Sequence, residues 1–347
     1  MRLLLHIGMP KTGTSTLQRT LLAHRRRLSR VGVLYPRPAR REANHNRIVA
    51  PFFEADDMHR ALLHGRPNGA SAQKLGTHVW NDIRREVAGS DASTTILSGE
   101  LFYGLREDRL RRLAALLREV FDPIDVVCYV REPAAYYVSL AQQLVRGTAR
   151  ITPPARFRMR TSRCLPRFHA AFDDRVTVRA FEPTALVDGD IVTDFVTAVL
   201  PEARAALPRQ QRIRANESIS AEAMCVLQQR RLAAGGPDRL TRRAARTVER
   251  LRGLTDAPRT PPRLRPDLEA ALVRRHAAEL AWLREHHGIE FSTIAEPAAA
   301  DEPPPAGWET EDLRRLLDVD PAAVETVAAA LGRRERRRRW PGRRQGS

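Results

Sequence analysis

Residues 2–16 read RLLLHIGMPKTGTST, an apolar run that enters a glycine-bounded loop and leaves it as a helical pattern. The order strand, glycine loop, helix commits the start of the chain to the edge-to-edge layering of an α/β sheet. Gly8 and Gly13 keep the glycine spacing of the ATP phosphate loop G-x-x-x-x-G-K-[ST]. The lysine is displaced. Thr14 and Ser15 follow Gly13 directly, and the loop's lysine is Lys11, between the glycines. A loop of this shape still offers backbone N–H groups and a helix amino terminus to an anion, with its positive charge set elsewhere.

The rest of the chain repeats the alternation. Residues 2–7, 94–97, 125–130 and 176–181 are short β-branched or apolar runs that predict strands. Helical periodicity follows Thr14 to about Arg27, with Leu17, Leu21 and Leu22 on one face, and returns near 107–120, 133–146 and 190–200. Strands alternating with helices predict a three-layer αβα fold around a mainly parallel sheet. Amphipathic helices over 218–233 and 267–287 then close a domain spanning 1–294. Residues 295–307 (AEPAAADEPPPAG) read as a proline- and alanine-rich linker, and 308–347 as a short helical and arginine-rich tail.

The net charge of +18 raises the question of a polyanionic partner. Lys11 and Lys74 are the only lysines among 59 basic residues. Arginine distributed so evenly is more often the mark of coding bias than of a binding face. No stretch interleaves basic and aromatic side chains as a single-strand platform does, so no specific nucleic-acid partner is expected. Cys128, Cys164 and Cys225 lie far apart with no C-x-x-C pair, which predicts reduced thiols and no zinc site. Leu3-Leu4-Leu5 is too short for a secretory signal and no run is long enough to span a bilayer. These features together read as a cytoplasmic protein, with the oligomeric state left open.

Several strand ends carry polar chemistry: the glycine loop after the first, Ser98-Gly99-Glu100 after the second, and Arg131-Glu132-Pro133 after the third. GMPKTGTSTLQ resembles the 5′-phosphosulfate loop of the sulfotransferases that use 3′-phosphoadenosine 5′-phosphosulfate, with the pattern P-K-[TSA]-G-T-[ST]. CYVREPAAYYVSLAQQLVRG resembles their 3′-phosphate motif, in which a strand-ending arginine precedes a serine by eight residues, here Arg131 and Ser139. ILSGELF is similar to the strand end of the carbohydrate-type and bacterial branches, and the likeness covers most of the first 290 residues. The resemblance implies that Lys11, Thr12, Gly13, Thr14, Ser15 and Thr16 hold the 5′-phosphosulfate, and that Arg131 and Ser139 hold the 3′-phosphate. It implies transfer of the sulfuryl group to a hydroxyl or amine, such as one on a carbohydrate, with the phosphosulfate nucleotide as co-substrate and no metal.

For the general base the residues leave two candidates. Glu100 ranks first, with the bland alternative that it solvates a turn. His45, in Asn44-His45-Asn46, ranks second because an ordinary imidazole titrates near neutrality. Asn216 and Ser218 read as helix-capping residues. Segments 35–80 and 147–170 are the expected walls for the acceptor. Two other readings stand beside this one: a nucleotide-dependent kinase using the loop for ATP, and a polyanion-binding protein acting through the basic tail.

Overall fold

The computed structural model describes residues 1–208, 218–234, 242–254, 257–294 and 303–339. The chain divides into two compact units. The first comprises residues 1–131, 160–216 and 279–293, and the second 132–159, 217–278 and 294–347.

The first unit is built on five parallel strands: β1 (Arg2–His6), β2 (Val33–Leu34), β3 (Thr94–Ser98), β4 (Ile124–Val130) and β5 (Val176–Ala180). Their spatial order is β2-β3-β1-β4-β5. Every pairing is parallel, and β1 lies in the centre, with Leu5 beside Leu97 on one side and beside Val126 on the other. A parallel strand is covered on both faces, so its sequence is continuously apolar rather than alternating. Leu3, Leu4 and Leu5 accordingly have 1% exposure or less. Each contributes on the order of 1.5–3 kcal/mol of burial.

Helices cover the sheet. α1 (Thr14–Ala23) buries Leu17, Gln18, Thr20 and Leu21. It ends at Ala23, and a short helix over Arg25–Ser29 takes up the remainder of the stretch expected as one helix. α2 (Gly69–Ala88), capped by the Asn68 side chain accepting from Ser71 N–H, is a 20-residue helix that begins inside the segment 35–80 read as an acceptor wall and runs past its end. Its apolar face, Ala72, Val79, Trp80, Ile83 and Val87, has helical spacing. Two glycines inside it dilute the local propensity, and packing overrides them. α3 (Glu107–Arg118) follows β3. α4 (Pro133–Gly147) belongs to the second unit, and α5 (Thr161–Ala171) returns to the first. A buried ion pair ties β4, β5 and the helix Ile191–Asp194 together. Asp194 is fully buried and accepts from the Tyr129 hydroxyl at 2.7 Å, from Arg179 Nε and Nη2 at 2.7 Å each, and from Val187 N–H at 3.1 Å.

The second unit is helical: α4 with the helices Ala221–Ala233, Arg242–Arg252, Pro266–Arg275 and Pro321–Arg339. Its core joins Tyr137, Met224, Leu268 and Leu272 to Trp308, Leu313, Val324 and Leu331. Side chains from the stretch expected as a tail are therefore core residues here. Glu335, within the arginine run, accepts from Arg230 at 2.9 Å and Arg250 at 3.1 Å. Residues 340–347, most of the expected linker and Asn216 lie outside the described residues. Cys128, Cys164 and Cys225 are free thiols, and among the described residues no helix is long and apolar enough to cross a membrane.

Candidate functional site

In an open parallel sheet the binding crevice forms where neighbouring strands send their connections to opposite sides. Here β1 leads to β2 and β3, whereas β4 leads to β5 on the other flank, so the crevice lies at the carboxyl ends of β1 and β4. The glycine loop occupies that place. Gly13 caps α1 in the left-handed region (φ 74°), with no side chain capping the helix and no acidic residue in its first turn. A helix start built this way leaves its positive dipole end for an anion. A side chain at position 13 meets two obstacles: the positive φ, and the Phe181 ring, 2.9 Å from where its Cβ would lie.

Lys11 is also left-handed, at φ 73°. A residue with a Cβ pays about 1–2 kcal/mol for that conformation. Its carbonyl accepts from Arg131 Nη1 at 3.2 Å, so the loop after β1 and the residue that ends β4 are joined directly. The Arg131 guanidinium stands 5.6 Å from the centre of the Phe181 ring. Glu100, at the end of β3, accepts a hydrogen bond from the Thr14 hydroxyl. The structure thus brings Lys11, Gly13, Thr14, Arg131 and Glu100 to one end of the sheet. Ser15 and Thr16 are half-buried in the first turn of α1, where Thr16 N–H donates to the Gly13 carbonyl at 3.0 Å.

Other expected residues have different surroundings. Thr12 is fully buried and its hydroxyl donates to the Met9 carbonyl at 2.7 Å, which braces the loop from inside. Ser139 is half-buried on α4, in the second unit, while Arg131 ends the first segment of the first. His45 is fully buried. Its Nδ1 accepts from Ser98 N–H at 3.0 Å, so Nε2 carries the ring proton and donates it to the Pro36 carbonyl at 3.1 Å. Burial pulls its pKa down to about 4, against the hydrogen bond to the Pro36 carbonyl. With both nitrogens engaged, His45 clamps the end of β3. Next to it, Asn46 Oδ1 accepts from Leu101 N–H at 3.0 Å, so this segment fixes the turn that carries Glu100.

Two side chains not singled out from the sequence, His6 and Gln18, meet Ser98 at the end of β3. His6 Nδ1 is 2.8 Å from Ser98 Oγ, which also accepts from Gln18 Nε2 at 3.0 Å. All three are at most 3% exposed. The available signal was one polar residue closing an apolar strand two positions before the glycine loop. Among the described residues, no group of three or more His, Cys, Asp or Glu side chains is placed to hold a metal ion. No protein-family model, no curated protein and no solved structure matches this chain.

Proposed function

We propose that this chain transfers a sulfuryl group from 3′-phosphoadenosine 5′-phosphosulfate to an acceptor hydroxyl or amine. The observation that carries the reading is the contact of Arg131 with the Lys11 carbonyl at 3.2 Å. It unites the P-K-T-G-T-S loop with the strand-ending arginine of the second motif, and the two motifs are 120 residues apart. The loop and the start of α1 hold the 5′-phosphosulfate. Arg131, with its planar fork, suits the 3′-phosphate. Ser139 is assigned to the same phosphate by the motif.

The chemistry then follows from charge. The acceptor oxygen attacks sulfur and its proton passes to Glu100. The bond from sulfur to the bridging oxygen breaks, and 3′-phosphoadenosine 5′-phosphate leaves. Negative charge grows on the bridging oxygen, and Lys11 is the loop's cation for it. A sulfuryl group carries less charge than a terminal phosphoryl group, so one lysine suffices where phosphoryl transfer recruits lysine and a metal. His45 supports the Glu100 turn. The acceptor is a small molecule or carbohydrate with a free hydroxyl, and the reaction belongs in the cytoplasm, where the three thiols stay reduced.

The test is transfer of radiolabelled sulfate to a panel of hydroxyl acceptors. Excess EDTA leaves that activity unchanged; an activity lost to EDTA and restored by Mg²⁺ selects the kinase reading instead. Arg131→Ala weakens binding of 3′-phosphoadenosine 5′-phosphate by about 1.5–3 kcal/mol, the scale of a charge-assisted hydrogen bond. The same change leaves adenosine 5′-phosphate, which lacks the 3′-group, nearly unaffected. Calorimetry with both nucleotides checks this, and equal losses make Arg131 a brace for the Lys11 carbonyl only.

A further inference from the structure

Thr14 opens α1 and is 2% exposed, with both branches of its side chain engaged. A Cβ on Gly8 would overlap the Thr14 methyl, so that methyl fills the space the glycine leaves. The Thr14 hydroxyl donates to Glu100 Oε1 at the end of β3. With one branch packed against the loop, a β-branched side chain has little freedom at χ1, and the hydroxyl is aimed by the packing.

The carboxylate it meets stands on fixed backbone. On one side Gly99 N–H donates to the His6 carbonyl at 3.0 Å. On the other, Leu101 N–H donates to Asn46 Oδ1 at 3.0 Å. Position 99 is itself confined, since a Cβ there would lie 2.6 Å from the same Asn46 oxygen. Glu100 is therefore anchored through both flanking peptides and through Oε1, while a carboxylate keeps lone pairs on its second oxygen for a proton.

A threonine hydroxyl has a single proton to give. Spent on Glu100, that proton does not also serve an anion in the loop. The motif makes Thr14 a ligand of the 5′-phosphosulfate, but the geometry divides the residue: its N–H belongs to the helix amino terminus, and its hydroxyl to the carboxylate.

We propose that Thr14 is a positioning residue whose hydroxyl holds Glu100 Oε1 beside the glycine loop and leaves Oε2 to take the acceptor's proton. The inference rests on the sulfuryl-transfer reading. In that step the acceptor O–H bond breaks as its oxygen bonds to sulfur, and the proton goes to Oε2. One residue then sets the base against the donor site, which no contact of Glu100 with its own strand does.

The experiment uses the full chain. Thr14→Val, close in shape and without a hydroxyl, lowers sulfate turnover by about 10- to 100-fold, the scale of one hydrogen bond to a charged group. Calorimetry shows its affinity for 3′-phosphoadenosine 5′-phosphate close to the parent's. Thr14→Ser keeps the donor and recovers most of the turnover. Protein labelled with ¹³C at the glutamate carboxyl gives a readout without turnover. The Glu100 signal, identified by its loss in Glu100→Gln, moves in Thr14→Val and stays near its parent position in Thr14→Ser. Parent-like turnover in Thr14→Val, or a loss of nucleotide affinity that accounts for the whole drop, overturns the proposal and returns the hydroxyl to the anion. Should Thr14→Val fail to fold, Thr14→Ala, which leaves room for water beside Glu100, carries the same readouts. A parent that transfers no sulfate, but whose Glu100 signal answers to Thr14, removes the sulfuryl-donor reading and keeps the pairing of Thr14 with Glu100. Sulfate transfer with a Glu100 signal indifferent to Thr14 does the reverse.

Discussion

Lys11→Met lowers turnover by about 10²–10³-fold, the loss that follows removal of one preorganised group from a developing charge. Methionine keeps the length of the side chain and the Cβ, so the left-handed backbone at φ 73° is no more strained than before. The Lys11 carbonyl stays available to Arg131, because that contact uses main chain only. Affinity for 3′-phosphoadenosine 5′-phosphate therefore falls much less than turnover. The contrast is the diagnostic: an interaction made in the transition state lowers kcat and kcat/KM together, whereas a lost binding contact raises KM. Single-turnover measurement of labelled sulfate transfer, beside calorimetry of the product nucleotide, separates the two. Normal turnover in Lys11→Met with an identified acceptor removes this lysine from the chemistry.

Asp194→Ala is the largest expected loss of stability. The carboxylate is fully buried, with two guanidinium hydrogen bonds, a tyrosine hydroxyl and a backbone N–H converging on it. Removing it strands the Arg179 charge and the Tyr129 hydroxyl, and breaking a buried pair from one side costs about 3–5 kcal/mol. Arg179 retains 28% side-chain exposure, and hydration of that part puts the loss at the lower end. Against a total stability of about 5–15 kcal/mol this is a large fraction. Urea unfolding shows it as a lower midpoint at unchanged slope. Burial alone raises the Asp194 carboxyl, but the hydrogen bonds from Arg179, Tyr129 and Val187 outweigh it and hold the group below the usual carboxylate range. With a depressed folded pKa, the stabilisation is complete above the unfolded-state value and is lost as pH falls through the folded one. The parent protein loses this contribution only in strong acid, and the variant lacks that transition. A midpoint equal to the parent's contradicts the assignment.

The physical basis of legibility differs from element to element. β1 and β4 were readable because strands covered on both faces are continuously apolar, β3 and the partly exposed edge strand β5 as short β-branched runs, and the loop because its residue types are dictated by close backbone approach. β2 escaped notice: two residues, Val33 and Leu34, carry no periodicity. α2 was hidden by the glycines within it, although its buried positions keep helical spacing. The fates of Thr12, His45 and His6 were beyond local reading, since each depends on partners brought in by the fold. His6 meets Ser98 across 92 residues of sequence, and His45 meets it across 53. An ordinary histidine in a polar stretch and a buried clamp look the same until the strand end that receives it is in place. The division between Arg131 and Glu132 was equally silent, because it falls inside a motif whose two halves were read together.

The central position of β1 also sets an order of events during synthesis. Its pairing partners are residues 94–98 and 124–127, so the strand leaves the ribosome about 90 residues ahead of β3 and about 120 ahead of β4. At about 5–20 residues per second, Leu3-Leu4-Leu5 waits of the order of 5–20 s with nothing to pair against. The glycine loop is thus among the first parts made and among the last to take shape, since its geometry needs β3 and β4 on either side. Over that interval the nascent chain exposes an apolar segment that a holding chaperone recognises. Fusing a slowly translated stretch before residue 94 lengthens the exposure and lowers the yield of folded protein, while the same stretch placed after residue 180, beyond β5, leaves the yield as it was.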